Sequence, residues 1–359
     1  MYICINRMEL RKMENRIDKE FCMSSFLTIR YVYNEVAWKE NIIPINNVII
    51  DSSPKIKCRT ADDIDRALRT MFDHMDLSHA ALLLSGGIDS GILASYMPKG
   101  TKAYTAHHQS PLTELEVERA ARICEINQLE HHVIEITWDD YDKKMDDMML
   151  KANCPVTANE PQVHKLVEQA IKDGADLIIF GDAADMVFGG YDQKLAKDWT
   201  FDEWVEEYTF VDPKTVLKAP ADMGILFDQY KIGENGVDYL RFMNDIFSIS
   251  SGISYYNSFE YFGVNYLDPY VRLVMSEPLD LKRVRNGESK YLLRELYQMK
   301  YPGVTIPEKV AMPRSMNVWL DWWEGPERPE FVPGCTETLT YEQKFLVYSL
   351  ERYLNIIEG

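Results

Sequence analysis

The sequence predicts an α/β protein with a doubly wound parallel sheet and a mostly helical C-terminal half. Three observations predict this fold class. Strand-like and helix-like segments alternate between residues 80 and 180, as in chains that build parallel sheets. Two of the strands end in glycine-rich turns, at the edge where open α/β sheets bind ligands. After Tyr191 the strand signals fade, and aromatic, helix-compatible segments dominate up to Tyr301.

The elements follow from apolar periodicity and from helix-start signals. Thr60, with Asp63 three residues later, begins a helix that continues to Met75. The next predicted elements are strand 80–84, helix 91–97, strand 103–107, helix 113–126, strand 131–136, helices 138–150 and 161–173, and strand 177–180. An amphipathic helix is predicted at 340–357, and Phe26–Val32 and Asn47–Ile50 are predicted as short strands.

These elements predict three parts of the chain. Residues 1–58 are expected to be a β-rich N-terminal appendage, residues 59–325 the domain that carries the chemistry, and residues 326–359 a C-terminal extension.

Composition excludes several classes of function. The net charge of −18 repels nucleic acids, and no basic stretch compensates for it. The six cysteines include no Cys-x-x-Cys pair, so neither a zinc or iron–sulfur site nor a disulfide framework is predicted. No apolar stretch is long enough to span a membrane. We therefore expect a cytoplasmic globular protein that binds neither nucleic acid nor membranes.

The first informative motif reads Ser-Gly-Gly-Ile-Asp-Ser and follows the strand 80–84. Gly86 and Gly87 let backbone N–H groups approach phosphate oxygens, and the helix that follows adds a positive dipole end. Ser85 and Ser90 add hydroxyl donors. Asp89 is best explained by Mg²⁺, a cation that takes oxygen ligands from protein and phosphate together. The motif therefore predicts a nucleotide phosphate site.

The second motif follows the strand 177–180 and reads Gly-Asp-Ala-Ala-Asp-Met-Val-Phe-Gly-Gly-Tyr from Gly181 to Tyr191. Asp182 and Asp185, three residues apart at the end of a strand, can face the same ligand. Because the carboxyl ends of parallel strands share one edge, we expect the two motifs to meet there.

Together the two motifs resemble those of the asparagine synthetase family, which includes the β-lactam synthetases and belongs to the PP-loop ATP pyrophosphatases. That family has Ser-Gly-Gly-x-Asp-Ser and, further along, a Gly-Glu-Gly-Ser-Asp-Glu-x-Phe-Gly-Gly-Tyr segment. Leu129–His132 and Ser289–Arg294 are similar to its His-His segment and its Lys-x-x-Leu-Arg helix. The resemblance covers about residues 60 to 325 and implies the PP-loop (adenine nucleotide alpha hydrolase-like) fold.

The resemblance implies ATP and Mg²⁺ as cofactors, and it assigns roles to individual residues. The pyrophosphate of ATP would be held by Ser85, Gly86, Gly87, Asp89 and Ser90, the adenosine lined by Leu84, Ala106 and Gly181, and Mg²⁺ bound by Asp89 and Asp185. Asp182 stands where asparagine synthetases have Glu and would accept a proton from the attacking ammonium or amine. Lys309 is the first candidate for the lysine that neutralises charge on the α-phosphate, and Lys290 is the second.

The sequence also departs from the family's pattern at several positions. The family's Glu and Arg are replaced by Asn265 and Leu267, and residues 156–161 lack the Arg found there in asparagine synthetases. Aspartate is therefore not predicted as the substrate. Tyr2 stands where glutamine-dependent members have a catalytic cysteine, so we expect no glutaminase domain in this chain.

The predicted function is an ATP-dependent amide-forming ligase that adenylates a carboxylate and transfers ammonia or an amine to it. Its expected partners are a small-molecule carboxylate and the nitrogen donor, with a separate glutaminase subunit as one source of ammonia. A homo-oligomer is also considered. Two alternatives stay open: a degenerate synthetase that serves as a nucleotide-binding or scaffold subunit, and a PP-loop sulfur-transfer or tRNA-modifying enzyme.

Overall fold

The structure is a computed structural model that describes residues 16–46, 53–108, 110–308, 312 and 314–359. Its strands are β1 (Ile56–Cys58), β2 (Ala80–Leu83), β3 (Lys102–His107), β4 (Glu130–Glu135), β5 (Leu177–Ile179), β6 (Lys231–Ile232), β7 (Gly236–Val237), β8 (Asn265–Leu267) and β9 (Leu273–Met275). Its α-helices are α1 (Lys19–Ile29), α2 (Ala61–Asp73), α3 (Ile88–Ala94), α4 (Pro111–Asn127), α5 (Trp138–Ala152), α6 (Glu160–Lys172), α7 (Ala184–Phe188), α8 (Phe201–Tyr208), α9 (Pro213–Val216), α10 (Gly224–Phe227), α11 (Tyr239–Phe242), α12 (Ser248–Phe262), α13 (Leu281–Arg285), α14 (Tyr291–Lys300), α15 (Met316–Trp319) and α16 (Tyr341–Glu358). A π-helical segment, Met243–Phe247, leads directly into α12.

Five strands form one parallel sheet in the order β4-β3-β2-β5-β8. Leu82 of β2 pairs with Ala103 of β3 and with Ile179 of β5. Ile179 in turn pairs with Leu267 of β8. The chain proceeds from β2 to β3 and β4 in one direction and then to β5 and β8 in the other, so the strand order reverses between β2 and β5. Open α/β sheets bind ligands at such a reversal, outside the carboxyl ends of the strands.

Helices cover both faces of this sheet. Because side chains alternate along a strand, Leu82 lies in the core shared with α2, α3, α4 and α14. Ala81 and Leu83 lie in the core shared with α6 and α12. Ile179 and Ile178 of β5 divide between the two cores in the same way. The predicted doubly wound parallel sheet is therefore confirmed.

The described N-terminal segment is helical at its centre. Asp18 caps α1, since its Oδ1 accepts the N–H of Phe21 at 2.9 Å. The prediction of a strand at Phe26–Val32 is wrong. Residues 21–29 are all buried, so α1 has no polar face that would give its sequence a helical period. The other strand predicted in this region, Asn47–Ile50, lies outside the described residues.

α1 shares a core with α5 and α16, the helix predicted at 340–357. Thr340 caps α16 with a capping box to Gln343. The first and last described segments of the chain therefore pack together. The boundaries of the predicted domains, 1–58, 59–325 and 326–359, stay predictions.

Helices α8 to α16 dominate beyond residue 200, but short strands also occur there. β8 completes the central sheet, β9 pairs with β1, and β6 pairs with β7. These strands have two or three residues, which is too short for a readable alternation of apolar and polar residues. β8 has functional importance because it brings Asp268, the residue that follows it, to the carboxyl edge of the sheet.

The helix predicted to begin at Thr60 is α2, and Thr60 and Asp63 form the expected capping box. Over the described part of the chain, no helix combines the length and apolar character needed to cross a membrane.

Candidate active site

The first motif forms the turn between β2 and α3. Gly86 has a φ of 71°, and a Cβ at this position would lie 2.5 Å from the Glu116 carbonyl oxygen and 2.9 Å from the Arg119 Cβ. Only glycine fits here, because the backbone is left-handed and α4 packs directly behind it. Ser85 and Ser90 hold the turn, since the Ser85 N–H donates to Ser90 Oγ at 3.2 Å and the two hydroxyl oxygens lie 3.2 Å apart.

Gly87 is the N-cap residue of α3, and no side chain caps the start of this helix. The first N–H groups of a helix have no partner within the helix, so a bound anion can satisfy them. The turn therefore has the backbone of the predicted phosphate cradle.

The second motif leaves β5 and enters α7. The Gly190 N–H donates to the Asp185 carbonyl oxygen at 2.8 Å, and a Cβ at Gly190 would overlap the Asp185 carboxylate. Gly189 ends α7 with a φ of 74°, and a Cβ there would lie 2.6 Å from Leu279. The two glycines therefore let the backbone fold back against the Asp185 side chain and fix its position.

Lys290 connects the two motifs. Its Nζ lies 2.6 Å from Asp89 Oδ2 and 2.7 Å from Asp185 Oδ1. Lys290 is 5% exposed and precedes α14 with a left-handed φ of 50°. Burial opposes the charged ammonium, but the two carboxylates outweigh burial and raise the pKa of Lys290 above its ordinary value. The carboxylates of Asp89 and Asp185, the two predicted metal ligands, therefore both contact the Lys290 ammonium.

The same pair of carboxylates fits Mg²⁺. This ion is usually bound by one or two carboxylates together with phosphate oxygens and water, not by a protein cage. Asp89 and Asp185 supply that number of ligands. Among the residues that the structure describes, no cluster of three or more His, Cys, Asp or Glu side chains offers a fuller metal site.

Asp182 lies within electrostatic reach of this pair. Its Oδ1 and Oδ2 accept from Ser251 Oγ at 2.9 and 3.1 Å, and Tyr191 also hydrogen-bonds Ser251. Burial raises the pKa of Asp182 to about 7, and the charges of the two neighbouring carboxylates add to this effect, whereas Ser251 opposes it. A carboxyl group with this pKa can take up or release a proton at neutral pH.

Asp268 is a site residue that sequence analysis missed. It is fully buried; its Oδ2 accepts the Ala183 N–H at 2.7 Å and its Oδ1 accepts the Tyr270 N–H at 3.0 Å. The Tyr270 hydroxyl donates to the Asp89 carbonyl oxygen at 2.9 Å. Asp268 therefore holds the second motif in place and is linked to the first. Asp before Pro269 is a helix-start signal, but only the position of β8 brings it to this edge.

Leu84, Ala106 and Gly181, which were predicted to line adenosine, lie at the carboxyl ends of three neighbouring strands. Leu84 is 2% exposed, its side chain packs in the core, and its N–H donates to the Tyr104 carbonyl oxygen at 2.9 Å. Its carbonyl oxygen accepts from Thr105 Oγ1 at 2.7 Å. A Cβ at Gly181 would lie 3.0 Å from the Tyr270 ring, which explains the need for glycine. Contact of these residues with adenosine stays a prediction.

Lys309, the first candidate for the charge-neutralising lysine, lies outside the described residues. The segment before it reaches the cradle, because Arg119 Nη1 donates to the Glu308 carbonyl oxygen at 3.2 Å. Glu308 and Gly86 also line the same cavity of about 350 Å³. The second candidate, Lys290, is placed directly between the motifs.

The part of the chain that carries both motifs matches one protein family. Residues 64–235 match the family model described as asparagine synthase. This part of the chain, just under half of its length, is therefore similar to an asparagine synthase domain. The expected α/β fold with a parallel sheet is confirmed, and the family match supports an ATP-using enzyme of the PP-loop type.

Two solved structures share a distant likeness with the chain. An NH₃-dependent NAD synthetase from Campylobacter jejuni subsp. jejuni NCTC 11168, solved with a nitrate ion, is 20% identical over 36% of this chain, with a TM-score of 0.25. This chain spans only 58% of that NAD synthetase. The U34-tRNA thiolase of Methanococcus maripaludis, solved with its [4Fe-4S] cluster, is 16% identical over 83% of this chain and 80% of its own, with a TM-score of 0.31. No curated protein matches the chain significantly.

Proposed function

We propose that this protein is an ATP-dependent amide-forming ligase that releases AMP and pyrophosphate. A substrate carboxylate oxygen attacks the α-phosphorus of ATP, and pyrophosphate leaves with the electron pair of the broken P–O bond. Ammonia or an amine then attacks the acyl carbon of the acyl-adenylate, and AMP leaves. The observation that carries this proposal is the position of Lys290 between Asp89 and Asp185, with Asp182 nearby, at the point where the strand order reverses.

The first half-reaction needs positive charge around the phosphates. The N–H groups at the start of α3 and the Lys290 ammonium provide it, since both are positioned by the fold. Asp89 and Asp185 would hold Mg²⁺, which supplies further neutralisation of the leaving pyrophosphate when bound with ATP. The cavity beside Gly86 offers room next to the cradle.

The second half-reaction needs a proton acceptor, because an ammonium ion must lose a proton before it can attack. Asp182 is suited to accept this proton, because its pKa of about 7 leaves much of it ionised at neutral pH and Ser251 orients its carboxylate. A carboxylate whose pKa had its ordinary value would be a much weaker proton acceptor at the same pH.

Sulfur transfer finds less support than amide formation. Burial raises the pKa of each of the five described cysteines, to about 11 for Cys58 and Cys124. Thiol-based sulfur transfer depends on an accessible thiolate, which burial of this kind disfavours.

The test is pyrophosphate and AMP release from Mg-ATP with a panel of carboxylic acids, each assayed with ammonium, with glutamine and with neither. Formation of AMP and pyrophosphate with one acid and ammonium supports the ligase. Binding of Mg-ATP without turnover of any acid favours the scaffold alternative.

Two variants make this test specific. Asp89→Asn should abolish pyrophosphate release, because it removes a carboxylate that the cation needs. Asp192→Asn is the matched control, since Asp192 is exposed and directly follows the second motif. Equal loss in both variants would contradict the proposed role of Asp89.

A further inference from the structure

The cavity of about 350 Å³ beside the first motif is lined by two cationic residues, Arg119 and Arg122 of α4. The remaining lining comes from Gly86, from other residues of α4 and α14, and from the segment 304–308. Most of these residues are apolar. Because apolar walls exclude part of the water that screens a charge, a cation in such a recess acts on a ligand more strongly than one in open solvent.

Gly86 belongs both to this cavity and to the phosphate cradle. A Cβ at Gly86 would lie 2.9 Å from the Arg119 Cβ, so the cavity borders the side of the turn that packs against α4. Within the part of the chain that the structure describes, Ser85, Asp89 and Lys290 do not line the cavity. A ligand in the cavity is therefore a second ligand, beside one bound in the cradle.

Arg119 and Arg122 form no ion pair with any described residue. They lie three residues apart and are neighbours on the surface of α4, where like charges at this spacing repel each other. Arg119 Nη1 donates to a neutral acceptor, the Glu308 carbonyl oxygen, at 3.2 Å. By contrast, Arg66 and Arg69 of α2 have the same spacing, and each binds an Asp carboxylate. The two cations of the cavity are thus left for another anion.

The neighbouring carboxyl groups do not neutralise this pair. Burial raises the pKa of Glu116 to about 7, and Arg119 opposes this rise, so the Glu116 carboxyl is only partly ionised at neutral pH. Glu308 is exposed and contacts Arg119 through its carbonyl oxygen. Burial also raises the pKa of Tyr297, against the charges of Arg122 and Arg119. Both charges therefore reach a residue that lines the cavity.

We propose that this cavity is a second anion site, which binds an inorganic phosphate or pyrophosphate ion while the cradle is occupied. A guanidinium presents parallel N–H donors that match phosphate oxygens, and two of them on one helix face can hold a multiply charged anion. The net charge of −18 repels anions from the chain as a whole, so such binding requires a local pair of cations.

The site goes beyond the proposed function, because binding of an anion needs no turnover of ATP. The same chemistry has two sources. One is the pyrophosphate that forms in the cradle, and this source rests on the proposed ligase function. The other is phosphate from solution.

The experiment titrates pyrophosphate, and separately phosphate, into the full chain and measures binding by calorimetry. The chain is first saturated with MgCl₂ and α,β-methylene-ATP, which is not cleaved and keeps the cradle filled. We expect one further anion to bind per chain. Tighter binding of pyrophosphate identifies the product of the cradle as the source, and tighter binding of phosphate identifies phosphate from solution. A parallel titration without the nucleotide should show the same component.

The double variant Arg119→Gln, Arg122→Gln should weaken this binding about tenfold or more, because it removes two charge-assisted partners. Replacement of both residues by Lys, which keeps the charge, should retain part of the affinity. The double variant Arg66→Gln, Arg69→Gln is the matched control, since it removes the same charge at the same spacing from α2. It should keep the wild-type affinity.

Three results would overturn the inference. The first is a wild type that binds no anion while the cradle is filled. The second is an Arg119→Gln, Arg122→Gln protein that binds the anion as the wild type does, or no more weakly than the control. The third is an equal loss of α,β-methylene-ATP binding in that variant, because the two guanidiniums would then belong to the cradle.

The outcome is separable from that of the proposed function. Anion binding that depends on Arg119 and Arg122, in a protein that releases no pyrophosphate from ATP, would refute the ligase and leave the anion site intact. Pyrophosphate release by a protein that binds no second anion would refute the anion site and leave the ligase intact.

Discussion

Replacement of Lys290 by Met tests how much the Lys290 ammonium stabilises the two carboxylates of the site. Lys290→Met keeps a side chain of similar length but leaves Asp89 and Asp185 facing each other without the ammonium that lies 2.6 and 2.7 Å from them. Removal of one partner from a buried ion pair costs about 3–5 kcal/mol. Because both carboxylates are 21% exposed, we expect the lower end, about 3 kcal/mol, or a fall in melting temperature of about 4 °C.

Magnesium should rescue this variant. When the ammonium is absent, the two carboxylates form a free site for a divalent cation, so MgCl₂ should stabilise Lys290→Met more than it stabilises the wild type. Mg²⁺ at ten times its Kd would restore about 1.4 kcal/mol. The assay is thermal unfolding followed by circular dichroism over a range of MgCl₂ concentrations, with CaCl₂ and KCl as ionic controls.

Lys300→Met is the matched control for this experiment. Lys300 is also largely buried and binds a carboxylate, Asp65 Oδ1, at 2.5 Å, but it does so away from the two motifs. Its loss should lower stability without any magnesium-dependent recovery. A Lys290→Met protein that melts like the wild type, or that gains nothing from MgCl₂ beyond the gain of Lys300→Met, would refute the reasoning.

Three further predictions concern single residues. Amide formation should be about tenfold slower at pH 6 than on its plateau at high pH, because Asp182 has a pKa of about 7 and accepts a proton only when it is ionised. Asp182→Asn should lose this pH dependence, while ATP–pyrophosphate exchange continues. Gly86→Ala should abolish binding of a fluorescent ATP analogue, because its Cβ would lie 2.5 Å from a backbone oxygen. In the control Gly100→Ala, the backbone φ is also positive, at 80°, but the Cβ would meet open space, so this variant should lose only about 1 kcal/mol of stability and bind the analogue normally. Asp268→Asn should lower stability in urea unfolding by about 1–3 kcal/mol, because one amide oxygen cannot accept both backbone N–H groups; wild-type stability would contradict this assignment.

Much of the central sheet could be predicted because its signals are local. Strands β2 and β5 are apolar runs followed by turns that contain glycine, and the helices between them carry an apolar face. The N-terminal helix α1 could not be predicted in this way. It is buried on every side, so its sequence has no periodic contrast between apolar and polar residues.

The same distinction between local sequence signals and distant contacts applies to the residues of the candidate site. The motifs around Asp89 and Asp185 were predicted because phosphate binding requires glycines and acids at short, fixed spacings. Asp268 and Ser251 were missed, since each acts on a residue more than 60 positions away. Lys290 was recognised only as the second candidate, because no local pattern shows that its side chain reaches both motifs.

The sequence by itself determined the succession of β2 to β5 and their helices along the chain, the glycine-rich turn after β2 and the pair of acids after β5, because those features depend on neighbours along the chain. Only the tertiary structure decided which charges meet. The reversal of strand order between β2 and β5 brings the two motifs together, and the start of α14 places Lys290 between them. Electrostatic energy depends on distance through space and on burial, and neither can be calculated from separation along the sequence.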